Sequence, residues 1–302
     1  MTSDQRLLLV HAHPDDESIQ NGATMARYVA EGRGVTLVTC TAGEMGEVLV
    51  PELGHLAAHH DDRLGEHRRD ELAEAMRILS VTDHRFLGGF ARFRDSGMKW
   101  HDDGHAVPAD EVHDNAFWAV DLIVPTDELV AVIREVRPQV LVTYDQFGNY
   151  GHPDHIQAHR VATYAVSLAA VPSYRVDLGE PWDVDKVYWT ATPESAMRDS
   201  IRALREAGDT ETFRGMDPDA DLGWFTTPDE LISCVVDGGA YTEPKVAAMK
   251  AHRTQIEEDG PFFAMSDSIG TAFWGSEAYR LAKGTSGPVD DRGVETDLFA
   301  GL

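Results

Sequence analysis

Short segments made almost entirely of apolar residues recur along the first 190 positions, and longer amphipathic segments separate them. Strands buried on both faces need apolar residues at successive positions, not at alternating ones. We therefore predict strands at residues 6–10, 35–38, 85–87, 140–143 and 186–190. Amphipathic helices between such strands indicate parallel pairing with crossover connections. The pattern predicts a doubly wound α/β fold, a mostly parallel sheet with helices on both faces.

The pattern weakens after residue 190. We predict a charged helix at 193–207, a strand at 231–236 and a helix at 245–252, with glycine-rich segments around them. The chain is thus expected to have an α/β core at residues 1–190 and a smaller C-terminal region at 191–302. Residues 99–115, which are rich in His, Asp and Gly, are expected to leave the core as an excursion.

Composition limits the classes of partner. A net charge of −26, with no cluster of Lys or Arg, excludes a nucleic-acid-binding surface and disfavours anionic membranes. No apolar stretch reaches the ~20 residues that span a bilayer, and the N-terminus lacks a signal-peptide pattern. Cys40 and Cys234 are the only cysteines, and we expect both to be buried and reduced. A cytoplasmic location is expected; the sequence carries no signal for an oligomeric state.

Two clusters of polar residues follow predicted strands. HAHPDDE (residues 11–17) comes after the first strand, and YGHPDH (150–155) follows the strand at 140–143. Ligands of doubly wound sheets bind beyond the carboxyl ends of the strands, where these two loops can face each other. Their imidazoles and carboxylates suit zinc or ferrous iron. Neither loop has the glycine-rich dinucleotide pattern, so a nicotinamide cofactor is not expected.

These two motifs resemble those of the PIG-L/LmbE-like deacetylases, zinc hydrolases that remove acetyl groups from N-acetylglucosaminyl substrates. Four further stretches resemble the branch of the family that serves mycothiol biosynthesis: TAGEMGEV (41–48), ARFRDSGM (91–98), AHRTQI (251–256) and ETDLFAGL (295–302). The resemblance extends over nearly the whole chain. It implies a zinc-dependent deacetylase that removes acetate from N-acetylglucosaminyl-inositol, a small-molecule amino-sugar substrate.

The resemblance also implies one catalytic metal ion per chain. Three residues match the ligands used in the family: His13, Asp16 and His155. Zn²⁺ is the expected ion, and Fe²⁺ is an alternative, because imidazole and carboxylate suit both. Three protein ligands leave coordination positions for water and for the substrate carbonyl, as a catalytic metal requires.

Catalytic roles carry over from the same motifs. Asp15 matches the general base of the family, which takes a proton from water. His152 matches the histidine that stabilises the tetrahedral intermediate, and we expect it to be cationic and oriented by Asp154. Tyr150 is a candidate second hydrogen-bond donor, with simple packing in a glycine-rich loop as the alternative.

Substrate contacts are expected from polar side chains near the cleft. Arg68 and Asp95 are the main candidates, because a polyol is recognised by charged, multidentate hydrogen-bonding groups. The alternative for Arg68 is an ion pair with Glu71 on a helix surface. Glu47 and His252 are further candidates. We expect the C-terminal region to complete the substrate cleft.

Several alternatives remain at this stage. His11 is either a further ligand or, as we favour, a support for the ligands, and His159 is expected on a solvated helix face. A mycothiol S-conjugate amidase shares both metal motifs and is the nearest rival function. A non-catalytic sugar-binding module is disfavoured, because sugar binding does not require a general base beside a metal with a free coordination position. A two-metal phosphohydrolase is disfavoured, because the motifs contain too few further carboxylates to hold a second metal ion.

Overall fold

The computed structural model describes residues 4–102, 104–211, 215–257, 263 and 274–302. Its strands are β1 Arg6–His11, β2 Gly34–Thr39, β3 Asp83–Phe86, β4 Met98–Trp100, β5 Ala106–Pro108, β6 Val140–Thr143, β7 Lys186–Ala191, β8 Cys234–Asp237 and β9 Ser276–Lys283. Its α-helices are α1 Asp16–Ala30, α2 Leu64–Ile78, α3 Ile123–Val136, α4 Gly148–Gly151, α5 Pro153–Ala169, α6 Glu194–Glu206 and α7 Thr242–Ala251.

The described strands form a main sheet in the order β3-β2-β1-β6-β7-β9-β8. The first five of these pair in parallel, and β9 pairs antiparallel with both β7 and β8. The predicted doubly wound α/β fold with a mostly parallel sheet is confirmed. Because β8 and β9 come from the C-terminal region, that region extends the sheet of the core and does not build a separate one.

The alternating side chains of β1 explain why its sequence is continuously apolar. Leu7 and Leu9 pack into a cluster with residues of α1, α2 and α7. Leu8 and Val10 point to the opposite face and pack with residues of α3 and α5. Successive side chains of a strand face opposite sides of the sheet, so a strand covered on both faces has no polar side.

The C-terminal elements differ in detail from the predictions. The predicted helices correspond to α6 and α7, whereas the strand predicted at 231–236 begins three residues later, at Cys234. Strand β9 was not predicted, because its sequence SEAYRLAK mixes charged and apolar residues and only part of it is buried. Continuous apolar runs indicate the parallel strands in the interior of the sheet but not a half-exposed antiparallel strand such as β9.

The predicted excursion at 99–115 contains a separate two-stranded antiparallel sheet, β4 with β5. Both cysteines are buried and unpaired. Among the residues described, no helix combines the length and hydrophobicity needed to cross a membrane.

The strand order also fixes where a ligand would bind. From β1 the chain continues to β2 on one side, and it later returns to place β6 on the other side of β1. The carboxyl ends of β1 and β6 are thus a topological switch point, where the crossover connections diverge and leave a crevice. The loops that follow these two strands carry the HAHPDDE and YGHPDH motifs.

Candidate active site

Three polar atoms from the two motif loops form a nearly equilateral triangle. His13 Nδ1 lies 3.4 Å from Asp16 Oδ2 and 3.3 Å from His155 Nε2. The third side, from His155 Nε2 to Asp16 Oδ2, is 3.4 Å. Ligands about 2.0–2.2 Å from a tetrahedral zinc ion lie about 3.3–3.5 Å from one another. The triangle therefore fits a tetrahedral zinc site with one position left for a non-protein ligand.

At the far side of each ring, the second nitrogen faces an oxygen that can accept its proton. His13 Nε2 lies 3.2 Å from Asp154 Oδ2, and His155 Nδ1 lies 3.2 Å from the carbonyl oxygen of Gly148. When the Asp154 carboxyl is ionised and each ring is neutral, the ring donates to this oxygen and keeps a lone pair at its triangle nitrogen, as a metal ligand requires. Gly148 has φ +62°, and a Cβ on it would lie 2.7 Å from the Cβ of His155. Only glycine allows this approach.

Carboxylates concentrate negative charge around His13. They belong to Asp16, Asp95 and Asp154. Burial alone lowers the pKa of His13, but the three carboxylates more than offset burial and hold that pKa well above its usual value. The ring nitrogens of His13, His152 and His155 also gather within 4.8 Å of one another, as do ligand atoms of His13, Asp95 and Asp154. The site therefore favours an added positive charge.

Asp154 contacts a different histidine from the one predicted. Its carboxylate accepts from His13 Nε2, from the backbone N–H of Ser96 at 2.9 Å and from the Ser96 hydroxyl. Its link to His152 is made only by the backbone, through the Asp154 N–H that donates to His152 Nδ1 at 3.1 Å. The Asp154 side chain thus orients His13, a candidate metal ligand, whereas Asp154 contacts His152 through its backbone N–H. Ser96, in the RDSGM stretch, was not identified from the sequence.

Tyr144 is a second residue that the sequence analysis missed. Its hydroxyl donates to Asp16 Oδ2 at 2.7 Å and accepts the backbone N–H of Ala12 at 2.8 Å. Its ring stacks on that of His155, with centroids 4.3 Å apart. His11 Nδ1 lies 3.2 Å from the same hydroxyl. A tyrosine at the end of a buried strand carries no motif, so only its position in the fold connects it to the metal site.

Replacing Tyr144 with phenylalanine is expected to weaken zinc binding by roughly 10–100-fold, the usual effect of removing a hydrogen bond that orients a ligand. Zinc affinity of the purified variant would be measured by competition with a chromophoric chelator. Tyr164→Phe, at an exposed tyrosine of α5, is the matched control. A change below about twofold in Tyr144→Phe would show that Asp16 needs no support from this hydroxyl.

Asp15 has a strained backbone and a carboxylate suited to proton transfer. It precedes α1 with φ 122° and ψ −36°, a conformation that costs a non-glycine residue about 1–3 kcal/mol. Burial raises the pKa of its carboxyl to about 6, while Arg68 beside it acts in the opposite direction. A base whose pKa lies near the working pH is effective in proton transfer. Strain and pKa both single out Asp15 as a functional residue.

Arg68 and Asp95 are buried beside the HAHPDDE loop. The Arg68 guanidinium donates to Asp15 Oδ2 at 3.1 Å, to the Gly43 carbonyl at 2.8 Å and to the Pro14 carbonyl. A Cβ on Gly43 would lie 2.1 Å from Arg68 Nη1, so this glycine is required for the contact. Asp95 Oδ1 lies 3.7 Å from His13 Nε2. The structure thus replaces the surface ion pair considered for Arg68 with an ion pair to Asp15.

His152 and Tyr150 lie against the ring of His155. The ring centroid of Tyr150 is 5.1 Å from that of His155 and 6.1 Å from that of His152. Burial, with His13 and His155 adding to it, lowers the pKa of His152 well below its usual value. This shift favours the neutral form of His152 over the cationic form expected from the sequence. Because Nδ1 accepts the Asp154 N–H, the neutral ring carries its proton on Nε2.

The remaining predicted residues occupy different surroundings. His252 is completely buried, and its Nε2 lies 2.9 Å from Glu17 Oε1, so a direct contact with substrate is not supported. Glu47 is exposed, and its carbonyl accepts from the Gln255 side chain at 3.0 Å. His159 Nδ1 contacts the backbone carbonyl of residue 144 at 3.0 Å and is not among the metal-ligand groups.

Comparison with known proteins decides the family. The family model described as PIG-L, GlcNAc-PI de-N-acetylase, matches residues 8–166, which include both motif loops. The chain belongs to the PIG-L family. A 1D-myo-inositol 2-acetamido-2-deoxy-alpha-D-glucopyranoside deacetylase from a Nocardioides species is 70% identical to this PIG-L chain, with 100% of both sequences covered. The enzyme of the same name from Kribbella flavida is 64% identical and covers 99% of this chain and 98% of its own.

A solved structure supports the PIG-L fold. The N,N'-diacetylchitobiose deacetylase from Pyrococcus horikoshii superposes with a TM-score of 0.59 at 19% sequence identity, covering 92% of this chain and 84% of that enzyme. At this level of identity the likeness establishes the fold and not the substrate.

Proposed function

We propose that this protein hydrolyses the acetamide of 1D-myo-inositol 2-acetamido-2-deoxy-alpha-D-glucopyranoside, releasing acetate and the free amine. The observation that carries the proposal is the triangle of His13 Nδ1, Asp16 Oδ2 and His155 Nε2, with sides of 3.3–3.4 Å beside the carboxylate of Asp15. The full-length relatives at 64–70% identity bear names that specify this substrate. We propose one Zn²⁺ per chain, with Fe²⁺ as the alternative that the same ligands accept.

His13, Asp16 and His155 would hold the ion, with their tautomers and orientations set by Asp154, Tyr144 and the Gly148 carbonyl. When bound, the metal supplies a Lewis acid that acidifies water and polarises the amide carbonyl. The protein's own contribution is to fix the positions and the tautomers of these three donors.

Asp15 is the proposed general base. Its carboxylate accepts a proton from the water that attacks the acetamide carbon, and the protonated carboxyl can then deliver that proton to the leaving nitrogen. The amide C–N bond breaks as acetate and the amine form, so the proton balance closes within one residue. Arg68 keeps the carboxylate in place through its 3.1 Å contact. A pKa of about 6 suits both halves of this cycle.

His152 is the proposed stabiliser of the tetrahedral intermediate. In the neutral tautomer its Nε2–H can donate to the developing oxyanion, and a neutral imidazole is a competent electrophile in a buried site. Tyr150, whose ring packs against His155 and lies near His152, is the proposed second donor. Its hydroxyl remains protonated, because burial raises its pKa well above the usual value.

Arg68, Asp95 and Glu47 are the proposed contacts for the sugar and inositol hydroxyls. The C-terminal region is proposed to complete this cleft through the segment after α7. There, the Gln255 side chain donates to the backbone carbonyl of Glu47 at 3.0 Å. A small amino-sugar substrate is the only partner proposed, and a cytoplasmic location stays a prediction.

Amine release from three amides tests the proposed substrate. The inositol conjugate is expected to exceed plain N-acetylglucosamine in kcat/KM by roughly 10-fold or more, because binding energy from the inositol supports turnover. The third amide is a mycothiol S-conjugate, the substrate of the rival amidase. The zinc- and iron-loaded proteins would be assayed in parallel under anaerobic conditions. Equal kcat/KM on both sugars would refute an inositol subsite, and a preference for the S-conjugate would identify an amidase.

A further inference from the structure

Glu17 and His252 form a buried ion pair next to the catalytic loop. Glu17 lies in the first turn of α1, and His252 directly follows α7, 235 residues along the chain. Both side chains are completely inaccessible to solvent, and His252 Nε2 lies 2.9 Å from Glu17 Oε1. Burying a carboxylate lowers the stability of the fold unless its oxygens accept hydrogen bonds, so the contacts of Glu17 require an explanation.

The two oxygens of Glu17 divide their contacts. Oε1 accepts from His252 Nε2 and from the Ser18 hydroxyl at 2.6 Å. Oε2 accepts the backbone N–H of Asp15 at 2.9 Å. Asp15 is the residue with φ 122°, and such a conformation persists only where its surroundings enforce it. Through Oε2 of Glu17, the pair therefore contacts the strained backbone of Asp15, the proposed base.

We propose that Glu17 and His252 act together as a positioning unit, which holds the backbone of Asp15 in its strained conformation and so sets the place of its carboxylate during hydrolysis. The inference rests on the proposed function of Asp15 as the base. Arg68 restrains the Asp15 side chain, while the pair restrains its main chain. Two independent contacts are needed, because a carboxylate fixed at its tip alone can still move with a relaxing backbone.

Close packing of α1 against α7 makes the pair rigid. A Cβ on Gly22 of α1 would lie 2.9 Å from Lys245 Cγ of α7, so the helices approach more closely than a side chain would allow. Within the described residues, His252 Nδ1 has no hydrogen-bond partner, and the ring's polar contacts are with Glu17 and, at 3.4 Å, with Ser18. The histidine therefore supports Glu17 and has no other polar role there.

Two neutral substitutions that differ by one methylene group test the unit. A glutamine at position 252 can place its amide N–H near the position of Nε2, whereas asparagine is too short to reach Glu17. His252→Gln is expected to keep kcat within about threefold of the parent, and His252→Asn to lower kcat by roughly 10–100-fold. Both are expected to leave KM and zinc affinity within about threefold, because the triangle of ligands is untouched. Rates are normalised to bound zinc.

Thr254→Val is the matched control for loosening of the segment after α7. The Thr254 hydroxyl donates to Glu71 Oε2 at 2.7 Å and anchors the same segment without touching Glu17. It is expected to keep kcat within about threefold. Equal kcat in the two His252 variants, an equal loss in Thr254→Val, or a loss of zinc affinity in His252→Asn would each overturn the inference. A parent enzyme that releases no acetate would instead refute the proposed function.

Discussion

Asp15→Asn is expected to lower kcat by roughly 10²–10⁴-fold while the zinc content stays at that of the parent. The amide keeps the shape of the carboxyl and its contact with Arg68, but it cannot accept a proton at neutral pH. Asp15 is not part of the ligand triangle, so the metal should remain. Acetate release and zinc analysis on the same preparation would measure both quantities.

Asp16→Asn is the matched comparison at the neighbouring position. Asp16 supplies one corner of the triangle, so this variant is expected to lose zinc first and activity as a consequence. Added zinc should restore part of its activity and none of that of Asp15→Asn. If Asp15→Asn loses its zinc and Asp16→Asn retains it, the two assigned roles are reversed.

The pH profile gives a second measure of Asp15. Since the base must be ionised, kcat/KM should fall as the pH drops through the pKa of its carboxyl. Burial raises that pKa to about 6, and a bound cation nearby would lower it, so the acidic limb should lie at or below about pH 6. The residual activity of Asp15→Asn should lack this limb. An unchanged limb in the variant would assign it to another group.

His155→Ala is expected to bring bound zinc below about one tenth of an ion per chain after dialysis and to abolish measurable turnover. Two remaining ligands hold a divalent ion poorly, and the variant lacks the corner that Nε2 forms 3.3 Å from His13 and 3.4 Å from Asp16. The fold should persist, because the sheet and its two apolar clusters do not include this side chain. Metal analysis and a thermal melt would test both statements.

His159→Ala is the matched control on the same helix. His159 lies one turn beyond His155, its Nδ1 contacts the Tyr144 carbonyl at 3.0 Å, and it lies outside the metal-ligand groups. It should retain zinc and activity. Zinc near one ion per chain in His155→Ala would contradict the ligand assignment, and loss of zinc in His159→Ala would move the ligand role along the helix.

Much of the fold follows from local sequence. A strand covered on both faces must be apolar at every position, so β1, β2, β6 and β7 were recognisable from their runs. The antiparallel strand β9 was not, because its half-exposed residues carry no such pattern. The joining of β8 and β9 to the main sheet depends on pairing across more than 80 residues and leaves no local trace.

Site residues divide in the same way. The HAHPDDE and YGHPDH loops were found because His, Asp and Pro are packed into short motifs at strand ends, where doubly wound folds bind ligands. Tyr144 and Ser96 stand outside these two motifs, and their roles appear only when folding brings their hydroxyl groups onto Asp16 and Asp154. Single residues acquire such roles through contacts that are distant in sequence.

The sequence by itself determined the fold class, the two loops and the residue types that suit a metal, since these depend on local periodicity and motif composition. The resemblance of the two motifs to those of the PIG-L family implied the amide hydrolysis. The tertiary structure alone decided which atoms meet. It turned the Asp154 carboxylate toward His13, directed the Asp154 N–H at His152 Nδ1, and buried His252 against Glu17. Packing between elements that are distant in sequence determines which buried polar groups pair, and no single segment of the sequence contains that information.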